Sequence, residues 1–104
     1  MRRPLQGLLI SEELAEKIEN DEKKITIRAG QRDYEIGAVL IGCPTVPWSS
    51  VKRITNVRHT ILKEITPEEY KLDGFNSFDE MISGLSEFYS DLTPDSEMTI
   101  IRWD

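Results

Sequence analysis

The chain has 104 residues, of which 38% are hydrophobic and 31% are charged, a mixture typical of one soluble globular domain that folds without disulfides. Its formal charge of −6 at pH 7 argues against a protein that binds duplex nucleic acid broadly through phosphates, and one cysteine with one histidine excludes a Cys/His zinc site. The longest apolar runs are far shorter than the roughly 20 residues of a membrane-spanning helix, and no cleavable signal pattern follows Met1, so we expect a cytoplasmic protein with no membrane partner, no metal and no cofactor.

The net charge hides an asymmetry along the chain. Residues 1–63 hold 11 Lys and Arg against 8 acidic residues, a charge of +3, whereas residues 64–104 hold 2 against 11, a charge of −9. A locally basic site on an acidic protein is therefore compatible with the composition.

The first predicted helix covers residues 12–20. Ser11 is an N-cap candidate, two glutamates occupy the first turn where the helix dipole favours them, and the apolar residues form one stripe. The stripe consists of Ile10, Leu14 and Ile18.

A strand is predicted next, over Lys24 to Arg28, because β-branched residues alternate with polar ones. Strict alternation places Lys24, Thr26 and Arg28 on one face and the two isoleucines, Ile25 and Ile27, on the core face. We expect the isoleucines to be buried, and Thr26 and Arg28 to point into a cavity or groove.

Two more strands and a loop follow in the middle of the chain. The apolar run Ala38 to Ile41 predicts a buried strand, and Val51 to Leu62 predicts a long one with a bulge near Asn56. The stretch Gly42 to Ser50 contains two prolines and reads as an ordered loop that presents Trp48. We expect Cys43, in this loop, to be a small buried residue.

Capping signals predict two helices in the acidic part of the chain. Thr66 and Glu69 form a capping box with Pro67 at the first helical position, and this short helix ends at Asp73. A second box at Ser77 opens a longer helix. The apolar residues expected in the core here are Phe75, Phe78, Met81, Leu85 and Phe88.

Met98 to Trp103 alternates as a final strand. Strands without regular βαβ alternation, with helices early and late, favour the α+β class over a doubly wound sheet. With four or more strands, a small barrel would also remove exposed sheet edges.

Several segments, in this order, resemble a known family. Lys23 to Arg28, followed by Ile36 to Leu40, is similar to the opening of ASCH domains, and so are the Asp73-Gly74-Phe75 turn and the closing Thr99 to Trp103 strand. The resemblance covers about residues 8–104. It implies a single ASCH domain over residues 1–104, with a small PUA-like β-barrel of about five strands and two or three covering helices.

The resemblance also implies a function. ASCH domains are associated with RNA, and the small bacterial relatives most similar by this motif include amidohydrolases that deacetylate N4-acetylcytidine. Their Lys-x-x-Thr-x-Arg pattern implies Lys23 as the base and Thr26 as the nucleophile. Asp73 stands where that subfamily has a glutamate, and its side chain is one methylene shorter, which puts its reach to the leaving amine in question.

The chemistry expected of such a site follows general rules. A threonine hydroxyl needs an adjacent base, and a lysine serves as one only if its surroundings lower its pKa from about 10.4. Lys24, Arg28 and Arg32 are the nearby cations, and we expect Lys24 and Arg28 to bind the substrate. Arg28 is placed to stabilise an oxyanion or hold a base edge, and Asp73 is placed to protonate the departing amine. Strand alternation puts Lys24 rather than Lys23 on the face of Thr26, whereas the family spacing favours Lys23 in the preceding turn.

The expected partner is a modified nucleoside or single-stranded RNA, on which Trp48 would stack. A non-catalytic RNA-binding module is the main alternative to an enzyme. An RNA nuclease is a third reading, weakened because the chain has no second histidine for a paired acid and base. The sequence does not indicate an oligomeric state.

Overall fold

The computed structural model describes residues 6–104 as an α+β domain with five strands and three helices. In chain order the elements are β1 (Gln6–Leu9), α1 (Glu12–Glu19), β2 (Ile25–Ala29), β3 (Gly37–Gly42), β4 (Ser49–Ile61), a 3-10 helix (Leu62–Glu64), α2 (Pro67–Leu72), α3 (Phe78–Ser86) and β5 (Glu97–Trp103). The predicted fold class and the approximate number of strands are confirmed. The expectation that no cleavable signal pattern follows Met1 concerns a segment that starts with residues 1–5, and these lie outside the described residues.

All five strands form one sheet in the order β1-β3-β4-β5-β2, curled into a half-barrel. The β1 and β3 strands are parallel, and the other neighbours are antiparallel. The register of β4 against β5 shifts between Ile54 and Asn56, which confirms the predicted bulge. The two edge strands approach each other, because a terminal nitrogen of Arg28 in β2 donates a 2.6 Å hydrogen bond to the Leu9 carbonyl of β1.

A hydrophobic cluster covers each face of the sheet. The cluster on the α1 face contains Leu8, Ile10, Ala15, Ile18, Val39, Ile41, Ile54, Ile101 and Trp103. The cluster on the face of α2 and α3 contains Ile25, Ile27, Leu62, Ile65, Met81, Leu85, Met98 and Ile100. The burial of Ile25 and Ile27 is as predicted, and it leaves Thr26 between them on the opposite face of β2.

Four features differ from the sequence predictions. Phe78, expected in the core, is 36% exposed, because it is the first residue of α3 and its ring lies edge-on to Tyr70 at the surface. The β1 strand was not predicted. Phe88 is 75% exposed rather than in the core, because α3 ends at Ser86 and the chain then tightens, with the Phe88 amide bonded to the Leu85 carbonyl. Cys43 is half-buried rather than buried, and its sulfur lies 3.2 Å from the Thr45 hydroxyl.

None of the three helices within residues 6–104 has both the length and the apolar composition required to span a bilayer.

Candidate functional site

Lys23 and Asp73 form an ion pair that is almost completely shielded from water. Lys23 occupies the turn between α1 and β2, where its amide donates to the Lys17 carbonyl and only 5% of the residue is exposed. Asp73 caps the C-terminus of α2, and its Oδ1 accepts a hydrogen bond from Lys23 Nζ. Lys24 is exposed to solvent, so the structure brings Lys23, and not Lys24, to the carboxylate.

Thr26 and Arg28 form a second polar pair on the neighbouring part of β2. Thr26 is only 6% exposed, and its Oγ1 accepts a 3.2 Å hydrogen bond from Arg28 Nε. The same guanidinium reaches Leu9, as described above, so it lies across the gap between the two edge strands. Because i and i+2 share a strand face, the backbone aims both side chains in the same direction.

The two pairs, Lys23–Asp73 and Thr26–Arg28, are together called here the buried polar cluster, and the charges of Lys23 and Arg28 both act on the Asp73 carboxyl. Burial raises the pKa of the Asp73 carboxyl above its ordinary value, since desolvation penalises the charged form. The positive charges of Lys23 and Arg28 oppose that rise without cancelling it. Arg28 therefore acts on both Thr26 and Asp73.

The position of Asp73 depends on how α2 is attached to the sheet. Each of three neighbouring strands is joined to this helix by an ion pair. The cation lies on the strand or in the turn before it, and the acidic residue lies on the helix or at its C-cap. The pairs are Arg58–Glu69 from β4, Arg102–Glu68 from β5 and Lys23–Asp73 before β2. The helix is therefore held to the sheet from its first turn to its C-cap.

Glu69 is the central member of this attachment and was predicted only as a helix cap. It is 4% exposed and accepts hydrogen bonds from Arg58 and from the Thr66 amide, while its own amide donates to the Thr66 hydroxyl. Burial acts to raise the pKa of Glu69, but the bonds from Arg58 and Thr66 outweigh it and lower the pKa. The ion pair was missed because the capping box already accounts for a glutamate at this position.

Thr99 is a second buried polar centre, on the same sheet face as Arg28. Its hydroxyl donates to the Gly30 carbonyl at 2.8 Å and accepts from the Arg32 amide at 2.9 Å. His59 Nδ1 lies 3.3 Å away, and in the sheet Thr99 is the cross-strand neighbour of both Arg28 and His59. The buried Thr99 hydroxyl thus holds the start of the loop after β2 in place and also contacts the His59 ring.

Two surface cavities lie outside the buried polar cluster. One of about 510 Å³ lies between the end of β2 and the segment after α3. The other, of about 430 Å³, is lined by β1 and by the loop after β2, including Arg32 and Tyr34. Thr26 lines neither of them: it is 6% exposed and its hydroxyl is bonded to Arg28.

The remaining candidates are placed elsewhere. Trp48 is half-buried and packs against the core on the α1 face, and Lys24 points to solvent. Within residues 6–104, no group of His, Cys, Asp and Glu is arranged to hold a metal ion. Lys23 thus contacts Asp73 and Thr26 contacts Arg28, no hydrogen bond within residues 6–104 joins the two pairs, and Lys24 and Trp48 belong to neither.

No model of a known protein family matches the chain, and no curated protein matches it either.

Proposed function

We propose that the protein is a nucleoside amidohydrolase that removes the acetyl group from N4-acetylcytidine at the buried polar cluster. The observation that carries this proposal is the buried contact between Lys23 and Asp73, in a chain where the Thr26 and Arg28 pair follows on the adjoining strand β2. A hydroxyl, an amine, a carboxyl and a guanidinium are the groups needed to transfer an acyl group from an amide without a metal.

The first step is attack by Thr26. Its Oγ1 forms a bond to the acetyl carbonyl carbon while the neutral amine of Lys23 takes the hydroxyl proton. Arg28 Nε already donates to this oxygen, so it stabilises the negative charge that develops there. When that charge moves to the carbonyl oxygen, the guanidinium can donate a hydrogen bond to that oxygen instead.

The second step needs a proton for the leaving amine, and the pairing of Lys23 with Asp73 provides a source. In water, ordinary lysine and aspartate pKa values differ by about 6.5 units, so moving the proton from ammonium to carboxylate costs about 9 kcal/mol. Burial reduces this cost on the side of Asp73, because desolvation raises the pKa of its carboxyl above the ordinary value. The resulting amine and carboxylic acid are the base and the acid that the reaction uses.

Asp73 then donates its proton to N4 as the amide bond breaks, which releases cytidine and leaves an acetyl ester on Thr26. Water then attacks that ester while the Asp73 carboxylate takes one of its protons. The Lys23 ammonium returns a proton to Thr26 Oγ1 as the ester bond breaks, which releases acetic acid as acetate and a proton and restores the starting amine and carboxylic acid. Contact with Lys23 supports Asp73 as the acid despite its shorter side chain, since the carboxyl already lies beside the base.

The deciding experiment is a chromatographic assay of N4-acetylcytidine hydrolysis by the purified protein. Wild type should release cytidine and acetate, and Lys23→Ala and Thr26→Val should each lose about three or more orders of magnitude in kcat, because nucleophile and base act as one unit. Lys24→Ala is the matched control, since it removes the adjacent but exposed lysine, and it should keep full activity.

Asp73 offers a graded test in the same assay. Asp73→Asn should lower kcat because an amide cannot supply the proton, and Asp73→Glu should retain or raise it. If folded wild type and folded Asp73→Glu both release no cytidine, the amidohydrolase is excluded.

A non-catalytic RNA-binding module is the second candidate, and the near-complete burial of Thr26 favours it. In that case Lys23 and Asp73 only join α2 to β2, and single-stranded RNA binds without turnover. Binding should then weaken as salt rises, and Trp48→Ala should cost about 1–3 kcal/mol of binding free energy if this ring stacks on a base.

A further inference from the structure

The cavity of about 510 Å³ at the end of β2 takes no part in the proposed hydrolysis. On one side it is lined by the place where β2 and β5 meet, and there the Gly30 amide donates to the Glu97 carbonyl at 2.7 Å. On the other side it is lined by residues 88–92, which follow α3. Tyr89 and Leu92 hold that segment in place, because both pack against the hydrophobic cluster on the face of α2 and α3. Both sides of the cavity are therefore fixed to the folded domain.

Phe88 supplies this cavity with an aromatic ring that the fold does not bury. The residue is 75% exposed, the highest value among the large hydrophobic residues between positions 6 and 104. Its backbone is nevertheless held, since its amide donates a 3.0 Å hydrogen bond to the Leu85 carbonyl. A ring with few rotatable bonds on an ordered backbone loses little conformational freedom when it is covered and offers a large contact area. The Phe88 ring is thus available to a ligand.

The same cavity carries two carboxylates that no cation neutralises. Asp91 and Glu97 both line it, and neither side chain forms an ion pair or a hydrogen bond within residues 6–104. Asp95, on the loop between them, does not line the cavity and pairs with Lys63 at 3.1 Å. None of the described residues that line the cavity is Lys, Arg or His. The lining therefore combines uncompensated negative charge with an aromatic surface.

We propose that this cavity binds an arginine side chain of a partner polypeptide. A guanidinium stacks on an aromatic ring and also donates paired N–H groups to carboxylates, so it is the side chain that uses both features of the lining. A lysine ammonium can pair with the carboxylates, but it is a compact, strongly hydrated charge without a planar face to stack on the ring.

The source of the guanidinium is a polypeptide rather than a small free compound, because the attraction extends beyond the cavity. Residues 64–104 hold 2 basic against 11 acidic residues, a charge of −9, and such a field favours the approach of a basic segment. The large exposed fraction of Phe88 leaves contact area for the residues that flank the arginine.

The test is a fluorescence-polarisation titration of the full chain at low salt with three labelled peptides. They share one short glycine-rich sequence and carry two arginines, two lysines or two glutamines. Wild type should bind the arginine peptide about threefold or more tightly than the lysine peptide and about tenfold or more tightly than the glutamine peptide. Phe88→Ala should remove the preference for arginine over lysine, and a variant that combines Asp91→Asn with Glu97→Gln should weaken the binding of both basic peptides.

Three substitutions outside the cavity serve as controls. Asp79→Asn removes an exposed carboxylate at the opposite end of α3, and Ile36→Ala removes another largely exposed apolar side chain. Both should preserve the preference for the arginine peptide. Thr26→Val should preserve it as well, because Thr26 does not line this cavity, so peptide binding and deacetylation fail independently of each other.

The proposal is overturned if wild type binds the arginine and glutamine peptides equally, or if the cavity variants bind the arginine peptide as wild type does. Equal affinities for the arginine and lysine peptides would exclude stacking on Phe88 as the basis of recognition. Arginine amide supplies the last arm of the titration, as a competitor of the labelled arginine peptide. If it binds as tightly as the peptide, the occupant is a small guanidinium compound and the polypeptide partner is excluded.

Discussion

Arg58 in β4 holds Glu69 in α2 through two parallel hydrogen bonds, from Nε at 2.8 Å and from a terminal nitrogen at 2.7 Å. Arg58→Ala would leave an almost fully buried carboxylate without its cation. We expect a loss of about 3 kcal/mol in the free energy of unfolding, at the lower end for a broken buried pair because the Arg58 side chain is 38% exposed. Urea denaturation measures this loss.

The exposed pair of Lys63 and Asp95, at 3.1 Å, is the control for that experiment. Lys63→Ala should change the free energy of unfolding by less than about 1 kcal/mol, because water screens both partners. Equal losses in the free energy of unfolding from the two substitutions would mean that the Arg58–Glu69 pair stabilises the fold no more than an exposed ion pair does.

The pKa values of the two carboxyls of the α2 attachment should shift in opposite directions from their ordinary values. Burial raises the pKa of Asp73, whereas hydrogen bonds from Arg58 and Thr66 lower the pKa of Glu69 despite its burial. Side-chain ¹³C shifts followed by NMR against pH should therefore show Asp73 ionising at a higher pH than an ordinary aspartate and Glu69 at a lower pH than an ordinary glutamate. A pKa of Asp73 at or below the ordinary value would contradict the burial assigned to it.

These shifts act on stability with opposite signs. A lowered folded-state pKa means that the contribution of Glu69 is present above its unfolded pKa and is lost as pH falls through the folded one. The raised pKa of Asp73 gives a contribution present below its unfolded pKa and lost as pH rises through the folded one. As the pH falls, the free energy of unfolding of the Glu69→Gln variant should therefore decrease less than that of wild type. Urea denaturation at several pH values measures both decreases.

His59 should carry its proton on Nδ1 when it is neutral. The Thr99 hydroxyl has one proton, which it donates to the Gly30 carbonyl, so the contact with His59 Nδ1 requires the ring to be the donor. Long-range ¹H–¹⁵N NMR spectra above the titration range should show this tautomer. Its population should fall in Thr99→Val, and a dominant Nε2–H form in wild type would contradict the hydrogen bond.

Gly84 should resist replacement by alanine, although alanine is normally about 1 kcal/mol better within a helix. A Cβ at this position would lie 2.6 Å from Cε1 of the Phe75 ring, so the ring or the helix must move. We expect Gly84→Ala to lower the free energy of unfolding by about 1–3 kcal/mol. Ser83→Ala, on the exposed side of the same helix, should instead raise it slightly, and similar gains in both variants would refute the clash.

Local patterns predicted much of this fold. The capping signals located α2 and α3, and β-branched alternation located β2 and its buried isoleucines. The β1 strand was missed because it has four residues and is recognised by its pairing with β3, more than thirty residues away. Strand periodicity would have chosen Lys24, since Lys23 lies in a turn where alternation does not apply, and the spacing of the resembled family indicated Lys23 instead.

The Arg58–Glu69 pair escaped sequence reasoning for a related reason. It depends on a strand and a helix that meet only in the folded domain, and no local spacing encodes that meeting. Phe88 fitted the helical spacing, but the helix ended two residues before it. Periodicity identifies a face and does not fix where the element stops.

The weakest junction between strands of the half-barrel is the one between β2 and β1, because the contact between Arg28 and the Leu9 carbonyl forms it. Every other junction between adjacent strands is a ladder of backbone hydrogen bonds, whereas a side chain spans this one. Rotation of the Arg28 side chain would therefore break this junction without breaking any ladder of backbone hydrogen bonds. In the proposed amidohydrolase, access to the Thr26 hydroxyl would then depend on one side chain and not on the separation of two strands.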